Sequence, residues 1–179
     1  MLQITINGSE YYDDNKQEVI YIKPQTITLE HSLVSISKWE AKWKKPFIGK
    51  TKTPEEILDY VKCMTITQNV NPLLYYSLSD DNLKEINDYI EDPMTATWFS
   101  KTEEKSFNRE IITSEVIYYQ MIVFNIPVEF QKWHINRLLT LIKVCGEKQK
   151  SSKKMSKAEI MKRNRELNEK RRAMMNTKG

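Results

Sequence analysis

The stretch Thr26-Ile-Thr-Leu-Glu-His-Ser-Leu-Val-Ser-Ile-Ser-Lys-Trp-Glu-Ala-Lys-Trp43 holds the change of hydrophobic period on which the fold turns. Up to Leu29 apolar and polar side chains alternate, as in a half-buried strand. From Leu29 onward Leu33, Ile36 and Trp43 recur at steps of four, three and seven, as on one face of a helix. Trp39 and Trp43 are four apart, which predicts stacked rings on one side of that helix, and Pro46 predicts its end. Upstream of the switch, Leu2, Ile4 and Ile6 alternate with Gln3, Thr5 and Asn7; Asn7-Gly8-Ser9 ends that run, and Val19-Ile-Tyr-Ile-Lys23 is a second β-rich segment. Residues 1–30 therefore read as a short β-hairpin or small antiparallel sheet, which needs helices to cover it.

Downstream the signals are helical. Thr53-Pro54-Glu55-Glu56 combines an N-cap threonine, a proline at the first helical position and a glutamate closing a capping box, with Ile57, Leu58, Val61 and Cys63 or Met64 as the apolar side. Asn69 to Pro72 is a break, and Ser79-Asp80-Asp81-Asn82 caps a further helix whose Leu83, Ile86 and Ile90 face inward until Asp92-Pro93 stops it. Met94 to Asn108, with Lys101-Thr-Glu-Glu-Lys105, has no period and reads as a loop or extended arm. Apolar residues from Ile111 to Phe124 cover nearly every helical face, which predicts a buried central helix starting at Thr113-Ser114-Glu115. After Asn125-Ile-Pro127, Val128 to Cys145 predicts a second long helix with Gly146 as its C-cap. The expected class is α+β, mostly α: the β-rich element 1–30, a helical core domain 31–146 built on that helical pair, a polar basic linker 147–155 and a separate basic helix 156–179.

The chain has 179 residues and a net charge of +4, distributed unevenly. Residues 147–179 hold twelve of the 28 Lys/Arg and four of the 24 Asp/Glu, a balance of +8, which leaves the first 146 residues at −4. Ser156-Lys-Ala-Glu159 forms another capping box, and Ile160, Leu167 and Met174 follow at intervals of seven, with Met161 and Met175 on a neighbouring line. Such a seam is one side chain wide, too narrow for a helix packed into its own domain. It predicts a partner-docking helix in which Ile160, Met161, Leu167 and Met174 supply apolar contact and Lys153, Lys154, Arg163 and Arg171 steer the encounter. This reading is preferred to a nucleic-acid arm or a solvated tail.

The sequence offers little chemistry. Four glycines build no phosphate-cradling loop, and GxGxxG, Walker and GxSxG motifs are all missing. His31, His134, Cys63 and Cys145 have no metal-ligand spacing, and eleven residues on one helix, about 16 Å, separate His134 from Cys145. His134 with Trp133 and Arg137 reads as a cluster closing a helix edge, the two cysteines as buried reduced thiols, and Trp39/Trp43 among Lys42, Lys44 and Lys45 as core aromatics beside solvated lysines. The expectation is a soluble, intracellular, non-enzymatic protein with no cofactor and no membrane span.

Several blocks carry a family resemblance: Thr28-Leu-Glu-His-Ser-Leu-Val-Ser-Ile-Ser-Lys-Trp-Glu-Ala-Lys-Trp-Lys-Lys-Pro-Phe47, Asp92-Pro-Met-Thr-Ala-Thr97, Ile112-Thr-Ser-Glu-Val-Ile-Tyr-Tyr119, Gln131 to Cys145 and Lys153-Lys-Met-Ser-Lys157. Over residues 26–179 they resemble the tail assembly chaperones of long-tailed bacteriophages, except that Ser151-Ser152 stands where the family carries prolines. The resemblance implies a host-cytoplasmic protein that binds the helical tape measure protein, assists recruitment of tail tube subunits, and is absent from the finished virion. Self-association is a further expectation. The alternative is a structural head or tail component whose basic C-terminal arm docks on a neighbouring subunit or on DNA.

Overall fold

The computed structural model describes residues 1–14, 17–99, 111–151 and 157–175. Four strands, β1 (Leu2–Ile6), β2 (Ser9–Asp13), β3 (Glu18–Ile22) and β4 (Gln25–Leu29), form two antiparallel pairs, β1 with β4 and β2 with β3. In every pair the two residue numbers add to 31, from Leu2↔Leu29 to Asp13↔Glu18, so both ladders share one hairpin register without a bulge. Between them Gly8 passes the opposite strand so closely that a Cβ would lie 2.4 Å from the Ile22 carbonyl oxygen. β2 escapes the sequence reading because Ser9-Glu-Tyr-Tyr-Asp13 does not alternate apolar with polar residues. Its pairing with β3 leaves Tyr12, Val19 and Tyr21 exposed.

Ile4, Ile6, Ile27 and Leu29 line the buried face of the β1–β4 pair, while Thr5 and Thr26 exchange a 2.9 Å hydroxyl bond on the exposed one. The free edge of β4 is covered: Glu30 N–H donates to the Met64 carbonyl, Ile66 N–H to the Thr28 carbonyl, and Thr28 N–H to the Thr67 hydroxyl. The expected N-terminal sheet is thus present and continuous with the helical core.

The helices are α1 (Leu33–Trp43), α2 (Pro54–Met64), α3 (Asp80–Glu91), α4 (Ser114–Val123), α5 (Ile135–Ser151) and α6 (Lys157–Met175), with 3-10 segments at Pro72–Ser77 and Val128–Lys132. Capping boxes open α1 (Ser32/Ser35), α2 (Thr53/Glu56) and α3 (Ser79/Asn82). Leu29 belongs to β4 and not to α1, which ends on a left-handed Lys44 two residues before Pro46. α1 is the central element: Leu33, Ile36 and Trp39 are wholly buried, and Trp39 Nε1 donates to the Glu56 carbonyl at 2.9 Å. Trp39 and Trp43 stack at 6.2 Å as expected. On α2, Tyr60, Val61 and Met64 face the core, whereas Ile57 is exposed. On α3, Ile86 and Tyr89 are buried and Leu83 and Ile90 half-buried.

The expected core pair needs correction. Val128–Lys132 is a 3-10 turn, Trp133 is extended, and α5 starts only at Ile135. The cause is tertiary: residue 134 bridges Ser32, and Ile135 N–H donates to the His31 carbonyl at 2.9 Å, pairings that a continuous helix forbids. α5 buries Ile135, Leu138 and Ile142 and runs through Gly146, which is helical and not a C-cap; Glu147, Lys148 and Gln149 after it favour helix and offset the roughly 1 kcal/mol that glycine costs. α4 is helical but not buried all round. Ser114, Ile117 and Met121 are buried and Tyr118 packs against the core, while Tyr119, Ile122 and Val123, with Ile111 and Ile112 just before the helix, are exposed.

Two compact units result, Met1–Lys143 and Val144–Gly179. Residues 94–99 carry no helix or strand; the rest of the expected loop, including Lys101–Lys105, lies outside the described residues, as do 152–155 of the linker and the capping residue Ser156. No helix among the described residues is long and apolar enough to cross a membrane.

Candidate interaction site

The buried polar side chains described in the first unit are all engaged in hydrogen bonds. Glu40, buried on α1, accepts Phe47 N–H through one carboxylate oxygen and Ser114 N–H through the other, each at 2.7 Å. Ser114 is the first residue of α4, and Thr113 provides no side-chain cap, so a carboxylate from a distant helix satisfies the orphan donor and complements the positive helix end. His134 caps α5 in a comparable way: its Nδ1 accepts Asn136 N–H at 3.3 Å, while Nε2–H donates to the Tyr89 carbonyl at 2.9 Å. Asn136 in turn donates to the Ile90 and Asp92 carbonyls at the end of α3.

The two histidines, 103 positions apart in the chain, meet with ring centroids 4.9 Å apart. His31 Nδ1 lies 2.5 Å from the Tyr60 hydroxyl, which is 3.2 Å from Ser35 Oγ, and Ser35 donates to the Ser32 carbonyl. Burial above all, then the neighbouring His134 and Lys52, hold the His31 pKa down to about 3, so the imidazole is neutral; burial lowers His134 and raises Tyr60. No buried side-chain nitrogen or oxygen among the described residues lacks a hydrogen-bond partner, and none of the described residues form a cluster of three or more metal-ligating groups. No periodicity in the sequence links His31 to His134, or Glu40 to Ser114, because both contacts exist only after the chain has closed on itself.

The aromatic–lysine segment is absorbed in the same manner. Trp43 Nε1 donates to Asp59 at 2.9 Å, Lys42 pairs with the same carboxylate, and Lys45 reaches Glu56 at 2.5 Å. Arg137 lies over the Trp133 ring at 4.0 Å, the expected helix-edge cluster. Cys63 and Cys145 are free thiols, half-buried rather than fully buried as expected.

α6 is the opposite case. Leu167 is 42% exposed, Ile160 46% and Met174 90%, and Met161 and Met175 are open as well. At about 100° per residue, Ile160, Leu167, Arg171 and Met174 fall within some 60° of one another, with Arg163 on the flank and Met161 about a right angle away. The helix thus carries the ridge that the sevenfold spacing predicts, with Arg171 set into it. Lys153 and Lys154 lie outside the described residues. A further exposed apolar surface, Tyr119, Ile122 and Val123 of α4, is one that the sequence pattern assigns to the core. A segment apolar on every face gives no amphipathic cue to which face meets solvent.

No family model, no curated protein and no solved structure matches the chain.

Proposed function

We propose that the chain is a non-enzymatic assembly chaperone of a tailed bacteriophage, acting in the host cytoplasm on the helical tape measure protein and leaving before the virion is complete. The observation that carries this reading is the exposed ridge Ile160–Leu167–Met174, with Met161 and Met175 beside it, on a helix whose other described side chains are charged or polar apart from Ala158. A seam with a seven-residue repeat suits a long helical client, because knobs at that spacing stay in register along a supercoil. Arg163 and Arg171 beside the seam favour acidic positions on the client and speed encounter. The blocks resembling tail assembly chaperones support the tape measure protein as the client. The apolar face of α4 offers a second contact to the client, to tail tube protein or to another copy.

Co-expression of the full-length chain with the tape measure protein should yield a soluble complex that co-elutes on gel filtration. Leu167→Asp should abolish it without altering the unfolding midpoint of the first unit. Mass spectrometry should find the chain in infected cells and not in purified particles. Failure to form the complex, or stoichiometric presence in the virion, overturns the proposal; the latter makes the chain a structural component.

A further inference from the structure

A cavity of about 380 Å³ opens between α2, α3 and the segment joining α1 to α2. Its wall is apolar, formed by Phe47, Val61, Leu83, Ile86 and Ile90, and its polar lining groups include Lys50, Lys52 and Asn87. The size and the ratio of apolar wall to convergent polar groups are those of small-molecule sites. No carboxylate lines it.

Lys52 distinguishes this cavity from the others. Its ammonium donates to the Phe47 carbonyl at 2.8 Å and sits 3.9 Å above the centre of the Phe47 ring. Lys42 and Lys45, on the same stretch of chain, each hold a carboxylate, whereas Lys52 has none within 4 Å among the described residues. The nearest candidate, Glu56, has both oxygens committed, one to Lys45 and one to Thr53 N–H. Burial holds the Lys52 pKa below the ordinary lysine value, partly offset by Glu56. A partly desolvated cation that is hydrogen-bonded to a carbonyl, set over a ring face and without a carboxylate in ion-pair contact, at the wall of an apolar cavity, is complementary to an anion that brings its own apolar body.

We infer that this cavity binds a small apolar carboxylate, of the size of a medium-chain fatty acid, with its carboxylate on Lys52 and its chain against Ile86 and Ile90. The inference is independent of the chaperone reading. It leaves α6 unused, and its ligand is a small molecule.

Octanoate and the neutral octanamide, titrated separately into the full-length protein at neutral pH, test it through the isoleucine and leucine methyl NMR signals. Octanoate should give saturable shifts at Ile86 and Ile90, with octanamide about tenfold weaker, as expected for one charge-assisted contact. Lys52→Met should abolish that preference and Lys52→Arg retain it, while Asn87→Trp, an exposed position on the cavity rim, should weaken both ligands. Equal affinity for the two ligands, a preference surviving in Lys52→Met, or shifts that do not saturate or map elsewhere would each overturn the inference. The last result would leave the cavity to an apolar side chain of a protein partner.

Discussion

α1 and α6 are helices of 11 and 19 residues, and the shorter is the better anchored. α1 buries Leu33, Ile36 and Trp39 and is tied to α2 by both tryptophan nitrogens. α6 buries none of its described side chains and rests on local terms, its straight-chain helix formers above all. Helix length therefore says little about stability here. α1 draws its stability from the apolar area it removes from water, and α6 keeps its apolar area available to something else.

The widest separation between the two should come from truncating a core anchor. Trp39→Ala is expected to cost about 3–5 kcal/mol in urea unfolding, combining a cavity with the lost bond to the Glu56 carbonyl. Acid should come next. Because His31 is neutral when folded down to about pH 3 but titrates near pH 6.5 when unfolded, the unfolded chain binds more protons between those values. Stability is thus complete above about pH 6.5 and falls with pH, by on the order of 3 kcal/mol at pH 4. His31→Gln should flatten that part of the pH profile, and an unchanged slope would assign the acid sensitivity elsewhere.

Glu40→Gln leaves one of two backbone N–H groups without an acceptor and should cost about 1–3 kcal/mol, with faster hydrogen exchange at Ser114 and through the first turn of α4. Ser79→Ala, removing the cap of α3, should lower stability by about 1 kcal/mol. Smallest of all, Leu167→Ala on α6 should shift global unfolding by less than about 0.5 kcal/mol. A loss comparable to that of Trp39→Ala would mean that the α6 ridge is already packed and not available to a partner.

The parts of the fold legible beforehand are those decided within a few residues. Thr53 and Glu56, like Ser79 and Asn82, lie three apart and find each other as soon as the turn forms. The alternation of Ile4 and Ile6 identifies β1, and the repeat of Ile160, Leu167 and Met174 identifies the α6 ridge, because each periodicity points to one face. β2 stayed hidden since a solvent-exposed ribbon needs no apolar alternation. The Lys52 cavity also stayed hidden, since its wall is assembled from three separate segments.

By itself the sequence determined the change from strand to helix near residue 30, the capped starts of α2 and α3, and the exposed basic helix at the C-terminal end. Local hydrogen bonds and side-chain period decide such features. Only the tertiary structure decided that α4 shows Tyr119, Ile122 and Val123 to solvent, that Glu40 rather than Thr113 caps it, and that His31 meets His134. The reason is the same in each case. A helix apolar on all sides, a carboxylate on a helix and a histidine between strand and helix acquire their partners only when segments far apart in the chain come into contact.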